Sequence, residues 1–274
     1  MRLFDTHCHI ADPRFDGDRA EVIERLRAAG VARALVVADP REPVYSGPED
    51  EGGVLTGVGN EKAVFDIVDG HDFLYGAIGV HPHNASGWDA EAEGVLRAYL
   101  AKPGCRLLGE IGLDYHYDLS PREVQRDVFD RQLDMALQVG LPVQLHIREA
   151  HGDCLDMLRP RFRAGRMPAG IMHCYTGSWE SAKLYLDMGL YISLSGALTF
   201  KNAPKLAEVA QNVPADRLLI ETDCPYMAPV PLRGRRNEPA FIVHTFNKLA
   251  ALRGGDAEAL AEQLWENSCR IMGL

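Results

Sequence analysis

The chain has 274 residues, 46% of them hydrophobic and 25% charged, enough to bury a large core and a normal length for one α/β barrel. Its formal net charge of −10 argues against a protein that coats nucleic acid by bulk electrostatics, because such binding needs a basic face that releases counterions. Neither the opening residues nor any later stretch is apolar for long enough to act as a signal or to cross a bilayer. The six cysteines (Cys8, Cys105, Cys154, Cys174, Cys224 and Cys269) form no CxxC pair. A single domain over residues 1–274, in the cytoplasm, with reduced thiols and no membrane partner, is the expectation.

In chain order, a strand over Arg2–Thr6 runs into His7-Cys8-His9. The i, i+2 spacing puts both imidazoles on one face of an extended chain with Cys8 on the other, so His7 and His9 can share one ion. After a helix over Asp18–Ala29, Ala32–Ala38 reads as a continuous hydrophobic run, the pattern of a parallel strand covered on both faces. Asp39 to Gly57, with three prolines and four glycines, is the one long irregular segment; it reads as a variable surface loop, with a lid as the alternative. A helix over Glu61–Val68, a strand over Leu74–Val80 that delivers His81 and His83, and a helix over Asp89–Leu100 follow.

The strand Arg106–Gly112 carries Glu110, a carboxylate that is costly inside an apolar strand unless paired or ligated. Ser120-Pro121-Arg122-Glu123 predicts a helix start, with Ser120 as cap, Pro121 in the first turn and Glu123 completing a capping box, and Gly140 ends that helix. His146 lies in the strand Val143–Ile147, ahead of Arg148 and a helix over Ala150–Arg163. His173 lies in the strand Gly170–Cys174, ahead of a helix over Trp179–Met188. The strand Leu190–Ser195 and the helix Pro204–Asn212 precede an eighth strand, Leu218–Thr222, which ends in Asp223 with Glu221 deeper on the same face. Arg233-Gly234-Arg235-Arg236 is the conspicuous basic cluster, and helices over Pro239–Arg253 and from Asp256 to Met272 complete the chain.

Eight strand–helix alternations fit an α/β fold of the (β/α)8 TIM-barrel type, with an extra C-terminal helix, better than a doubly wound sheet; no GxGxxG follows the first strand. A single strand histidine is more often a hydrogen-bonded core residue than a ligand. A barrel, however, would gather His7, His9, Glu110, His146, His173 and Asp223 at its C-terminal mouth, where this architecture builds active sites, so a metal centre is expected.

At these residues the chain resembles the TatD-type metal-dependent hydrolases, a deoxyribonuclease family among the amidohydrolase-like barrels. The likeness spans nearly the whole chain, through Asp5-Thr6-His7-Cys8-His9, Gly79-Val80-His81-Pro82-His83, Gly109-Glu110-Ile111-Gly112-Leu113-Asp114-Tyr115, His146-Ile147-Arg148-Glu149-Ala150, His173-Cys174-Tyr175-Thr176-Gly177, Glu221-Thr222-Asp223-Cys224-Pro225 and Arg236-Asn237-Glu238-Pro239. It implies two divalent metal ions (Mg²⁺, Mn²⁺ or Zn²⁺): one on His7, His9 and Asp223, a second on His146 and His173, with Glu110 bridging both. Two features depart from the family pattern. Cys224 stands where the family commonly has Ser, and the segment from Asp39 to Gly57 is longer than expected.

The resemblance implies a DNase acting on single-stranded or end-accessible DNA, often in the 3′→5′ exonucleolytic sense, through a water activated to hydroxide by the metals. Two divalent ions against two carboxylates leave the site positive, which suits an anionic substrate, and Asp223 is the candidate general base. His81 and His83 match family positions that face the scissile phosphate, while Arg148, Lys201, Arg235, Arg236 and Asn237 are candidates for substrate contact. The alternative is an amidohydrolase or esterase that uses the same centre on a small molecule or an esterified tRNA end. A non-enzymatic barrel would predict loss of a ligand, and none is lost.

Overall fold

A computed structural model of the chain describes residues 1–46 and 54–274. Among these the strands are β1 (Leu3–Cys8), β2 (Val31–Ala38), β3 (Pro43–Ser46), β4 (Val54–Val58), β5 (Leu74–Ile78), β6 (Cys105–Asp114), β7 (Val143–Arg148), β8 (Gly170–Met172), β9 (Tyr191–Leu194) and β10 (Leu218–Ile220). The α-helices are α1 (Arg19–Ala28), α2 (Glu61–Asp69), α3 (Ala90–Leu100), α4 (Arg122–Val139), α5 (His151–Arg163), α6 (Trp179–Asp187), α7 (Pro204–Asn212), α8 (Ile242–Arg253) and α9 (Ala257–Met272). One sheet of eight strands takes the order β1-β2-β5-β6-β7-β8-β9-β10. Its first and last strands meet where His9 N–H donates to Cys224 O at 2.8 Å and Asp223 N–H donates to His7 O at 3.0 Å. This is the (β/α)8 barrel that the strand–helix alternation predicts, with α9 as the extra helix. No helix among the described residues is long and apolar enough to cross a membrane.

The chain divides into two compact units, residues 1–35 with 172–274 and residues 36–171, and the divisions fall inside β2 and β8. In the first unit every residue of β1 is buried, and α9 packs against β1 and β10. Trp265 of α9 meets Phe4 of β1 with ring centroids 6.1 Å apart. The fully buried Asn267 donates to the carbonyls of Ala215 at 2.7 Å and Leu218 at 2.9 Å, so the helix satisfies the backbone at the start of β10. Asp256 caps α9 through the N–H of Glu258 at 2.8 Å, and Gly273 ends it in the left-handed conformation.

In the second unit β6 pairs with β5 and β7 in parallel, and the β6–β7 register shifts between Leu108 and Ile111, around Glu110. A shift of this kind re-aims a side chain out of the regular alternation. Gly112 lies opposite His146, with φ 147°, and a Cβ there would come 2.0 Å from His146 O. Only glycine allows that approach. The strand ends are held by two buried glutamines of α4. Gln132 exchanges hydrogen bonds with the backbone of Val80 at 2.8 and 3.0 Å, and Gln125 does so with Asp114 at 2.8 and 3.1 Å.

Three expectations are corrected here. Ser120 does not cap α4, whose N-cap is Pro121 with no side-chain bond; its buried hydroxyl donates to His83 O at 2.8 Å and accepts from Ser86 N–H at 3.0 Å, satisfying the neighbouring loop instead. The segment from Asp39 to Gly57 is not wholly irregular, because β3 and β4 form an antiparallel pair from Pro43 opposite Val58; residues 47–53 lie outside the described residues. Finally, β8 and β10 stop two residues short of their predicted ends. Cys174 and Asp223 take positive φ, 41° and 55°, which an extended strand does not allow.

Candidate metal centre

In the first unit, His7 is the next-to-last residue of β1, with its ring buried, and His9 follows just beyond the strand. Their Nε2 atoms lie 2.8 Å apart, and Asp223 Oδ1 lies 3.7 Å from the one and 3.6 Å from the other. Cys8 points the opposite way, with its thiol on Leu35 O at 3.2 Å, as the two-residue alternation requires. The left-handed backbone at Asp223 is strained for a non-glycine residue and is held from both sides. Asp5 accepts from Thr222 N–H at 2.9 Å and from Thr222 Oγ1 at 2.6 Å, while Asn237 Nδ2 donates to Thr222 O at 2.9 Å and Tyr226 O at 2.6 Å. Burial pushes the Asp5 carboxyl up to about 8 against the pull of those donors. At Asp223 burial also acts upward, but the neighbouring imidazoles of His9, His173 and His7 outweigh it and hold the carboxyl below its ordinary value.

His173 stacks on His7 at 3.7 Å between ring centroids, and its Nδ1 lies 2.8 Å from Glu221 Oε1. Glu221 is fully buried and also accepts from Cys174 N–H and Ser193 Oγ, both at 2.6 Å. A carboxylate held this way orients the imidazole and turns Nε2 outward, the usual support for a ligating histidine.

In the second unit, Glu110 Oε1 lies 2.6 Å from His146 Nδ1 and 3.5 Å from His81 Nε2. Asp114, four residues after Glu110 and fully buried, sits with Oδ2 3.0 Å from His146 Nε2 and 2.9 Å from His83 Nε2. Burial acts upward on the Asp114 carboxyl, yet these two histidines and the N–H of Tyr117 pull it well below the ordinary range. His81 is driven down to about 4, chiefly by burial, so its imidazole is neutral at neutral pH. Asp39 fixes the loop that carries it, accepting from His81 N–H at 3.0 Å and Asn84 Nδ2 at 2.8 Å.

Of the residues predicted to matter, the structure therefore brings His7, His9, His173 and Asp223 together in one set, and His81, Glu110 and His146 in another, with His83 joined through Asp114. The predicted substrate contacts divide. Asn237 is fully buried with both amide hydrogens committed to loop carbonyls, so its place is in the scaffold. Arg236 donates to Arg14 O at 2.6 Å and to both Asp18 oxygens at 2.7 Å, and it lies over Phe15 at 4.4 Å. It too is committed. Arg235 and Lys201 are exposed, and Arg148 is partly so.

Asp114 and Asp39, which hold histidines of the second set in place, are positions that sequence reasoning misses. For Asp114 the signal is present: a second carboxylate in the same apolar strand, an even number of residues from Glu110, faces the same way and carries the same cost of burial.

Both sets suit divalent metals by donor chemistry. Imidazole nitrogens and carboxylate oxygens converge within 3.7 Å in the first set, and two imidazole Nε2 atoms face one another at 2.8 Å, an arrangement that a cation between donors satisfies. The same convergence marks His81, Glu110 and His146.

The model of the TatD related DNase family matches residues 4–273 of this chain. The metal-dependent hydrolase YabD of Bacillus subtilis is 38% identical over 269 residues, 98% of each chain. An enzyme of Pantoea ananatis named 3′-5′ ssDNA/RNA exonuclease TatD is 34% identical, covering 99% of this chain and all of its own. Among solved structures, that of YjjV, a TatD homologue from Escherichia coli K12, superposes with a TM-score of 0.87 at 28% identity, covering 100% of this chain and 98% of that one. The chain thus belongs to the TatD-related DNase family and is a metal-dependent hydrolase.

Proposed function

We propose that the chain hydrolyses phosphodiester bonds at the end of a single-stranded nucleic acid, DNA first, with two divalent ions. As the family resemblance implies, His7, His9 and Asp223 would hold one ion and His146 and His173 the other, with Glu110 shared. The observation that carries this reading is that each unit presents its own cluster of nitrogen and oxygen donors at strand ends, one within 3.7 Å and the other within 3.5 Å. The names of the exonuclease relatives support the substrate class and the 3′→5′ direction. The abundance of imidazole favours Zn²⁺ or Mn²⁺ over Mg²⁺, which prefers oxygen ligands and keeps its waters. Six free cysteines support a reducing, cytoplasmic setting.

Divalent ions held there would polarise the phosphoryl oxygen and make water acidic enough to react at neutral pH. The chain's own groups do the rest. Asp223, kept ionised by the histidines around it, takes the proton of the attacking water. His81, neutral because it is buried, faces the reacting phosphate as a hydrogen-bonding group. Asp114 and Glu221 hold His146 and His173 in one ring orientation.

The test is a panel of single-stranded DNA and RNA oligonucleotides, bis-p-nitrophenyl phosphate, simple amides and an esterified tRNA end, each with Mg²⁺, Mn²⁺ and Zn²⁺, beside a metal analysis of the dialysed protein. Stepwise shortening of DNA from its 3′ end with two equivalents of metal is the expected result. Turnover of amides or esters without any phosphodiester cleavage would overturn the reading.

A further inference from the structure

Tyr117 lies three residues beyond β6 and is 54% exposed, although it is fixed from beneath. Its N–H donates to Asp114 Oδ1 at 2.8 Å, and the other oxygen of the same buried carboxylate meets His146 Nε2 at 3.0 Å. The ring is met edge-on by His83 at 5.3 Å, and the guanidinium of Arg148 lies over it at 4.7 Å. Arg148 follows His146 by two residues at the end of β7, and among the described residues no carboxylate comes within ion-pair distance of it. A half-exposed aromatic ring and a cation with no carboxylate within ion-pair distance among the described residues thus stand side by side next to His146.

We propose that Tyr117 and Arg148 form a nucleobase–phosphate subsite for the nucleotide at the cleaved end, the base stacking on the pair and Arg148 meeting a phosphate oxygen. Single-strand binders combine the same two elements, an aromatic platform and a cation along the backbone. A base stacked here must be free of its complement, so the subsite selects an unpaired end. The inference rests on the nucleic-acid reading above.

The experiment uses the metal-loaded full chain and three single-stranded DNA oligomers: intact, abasic at the 3′-terminal position, and abasic at the position before it. One lost base stack is expected to lower kcat/KM by about 5- to 150-fold. The parent should therefore prefer the intact oligomer to one of the abasic pair by at least about fivefold. Tyr117→Ala should bring that ratio to near one, and Tyr117→Phe should preserve it. The ratio compares substrates on the same protein, so a partly damaged variant still reports. Arg148→Ala should make the log–log salt dependence of binding shallower by about 0.7, the share of one single-strand phosphate.

Equal cleavage of all three oligomers by the parent, or a ratio that survives Tyr117→Ala, overturns the stacking. An unchanged salt slope in Arg148→Ala overturns the phosphate contact. If the parent cleaves none of the oligomers, the nucleic-acid reading itself falls and takes the subsite with it.

Discussion

Asn237→Ala separates a scaffold role from substrate contact. The side chain is fully buried, donates to Thr222 O at 2.9 Å and Tyr226 O at 2.6 Å, and accepts from Glu238 N–H at 3.0 Å. Each such bond contributes about 0.5–1.5 kcal/mol net, and a buried polar group left without a partner costs about 1–3 kcal/mol. Truncation therefore costs about 2–4 kcal/mol once some water reaches the loop. At roughly 2–4 °C per kcal/mol for chains of this order, Tm should fall by about 5–15 °C. The two released carbonyls flank Asp223, so Mn²⁺ bound at His7, His9 and Asp223 should also weaken, as read by calorimetric titration. Asn237→Asp should be worse than Ala, because it sets a carboxylate oxygen against two carbonyls. A melt within about 1 °C of the parent together with weaker oligonucleotide binding would refute the reasoning and return Asn237 to the substrate.

Glu110→Gln keeps the shape but loses the charge beside His146, and it should cost more than the roughly 10–100-fold in activity typical of outer-shell partners, with a melt close to the parent's in the absence of metal. Gly112→Ala would place a Cβ 2.0 Å from His146 O, forcing β6 and β7 apart; urea unfolding should show a loss of about 3 kcal/mol or more, and metal content should drop with it. Arg236→Ala should cost about 1 kcal/mol, since the pair with Asp18 is partly exposed, and should leave the salt dependence of oligonucleotide binding unchanged while Arg235→Ala makes it shallower. Arg236 is the largest cause holding the Asp18 carboxyl at about 2 against an ordinary 3.8. The contribution is thus present above the ordinary value and lost as pH falls through the depressed one, so the stability gap between parent and Arg236→Ala should close on acidification.

The candidate donor positions were legible because a polar side chain at the end of an apolar strand leaves a local trace. His7 and His9 share a face through simple alternation, and a polar residue at the end of an apolar strand is costly to bury unless a partner or an ion compensates it. Strand and helix order was legible for the same reason, since burial imposes its period on neighbouring residues. What stayed hidden depends on partners far along the chain. Nothing near Gln125 or Gln132 says that they bond the backbone of Asp114 and Val80, and the capping signature at Ser120 is sound locally but loses to the loop of residues 82–87 that the fold lays beside it.

The basic cluster makes the distinction sharpest. Arg235 and Arg236 are identical in type and adjacent in sequence, so no local pattern could separate them. Arg236 meets Asp18 and the carbonyl of Arg14 more than 200 residues away, and those contacts use its guanidinium. Arg148, unremarked by any run of charge, has a tyrosine under it and no carboxylate beside it among the described residues. A cation's residue type says what it can bind, whereas its capacity to bind substrate depends on whether the fold has already supplied an anion. By that criterion Arg148 and the exposed Arg235 are the first of these cations to test as phosphate contacts, whereas the guanidinium of Arg236 is already engaged by Asp18.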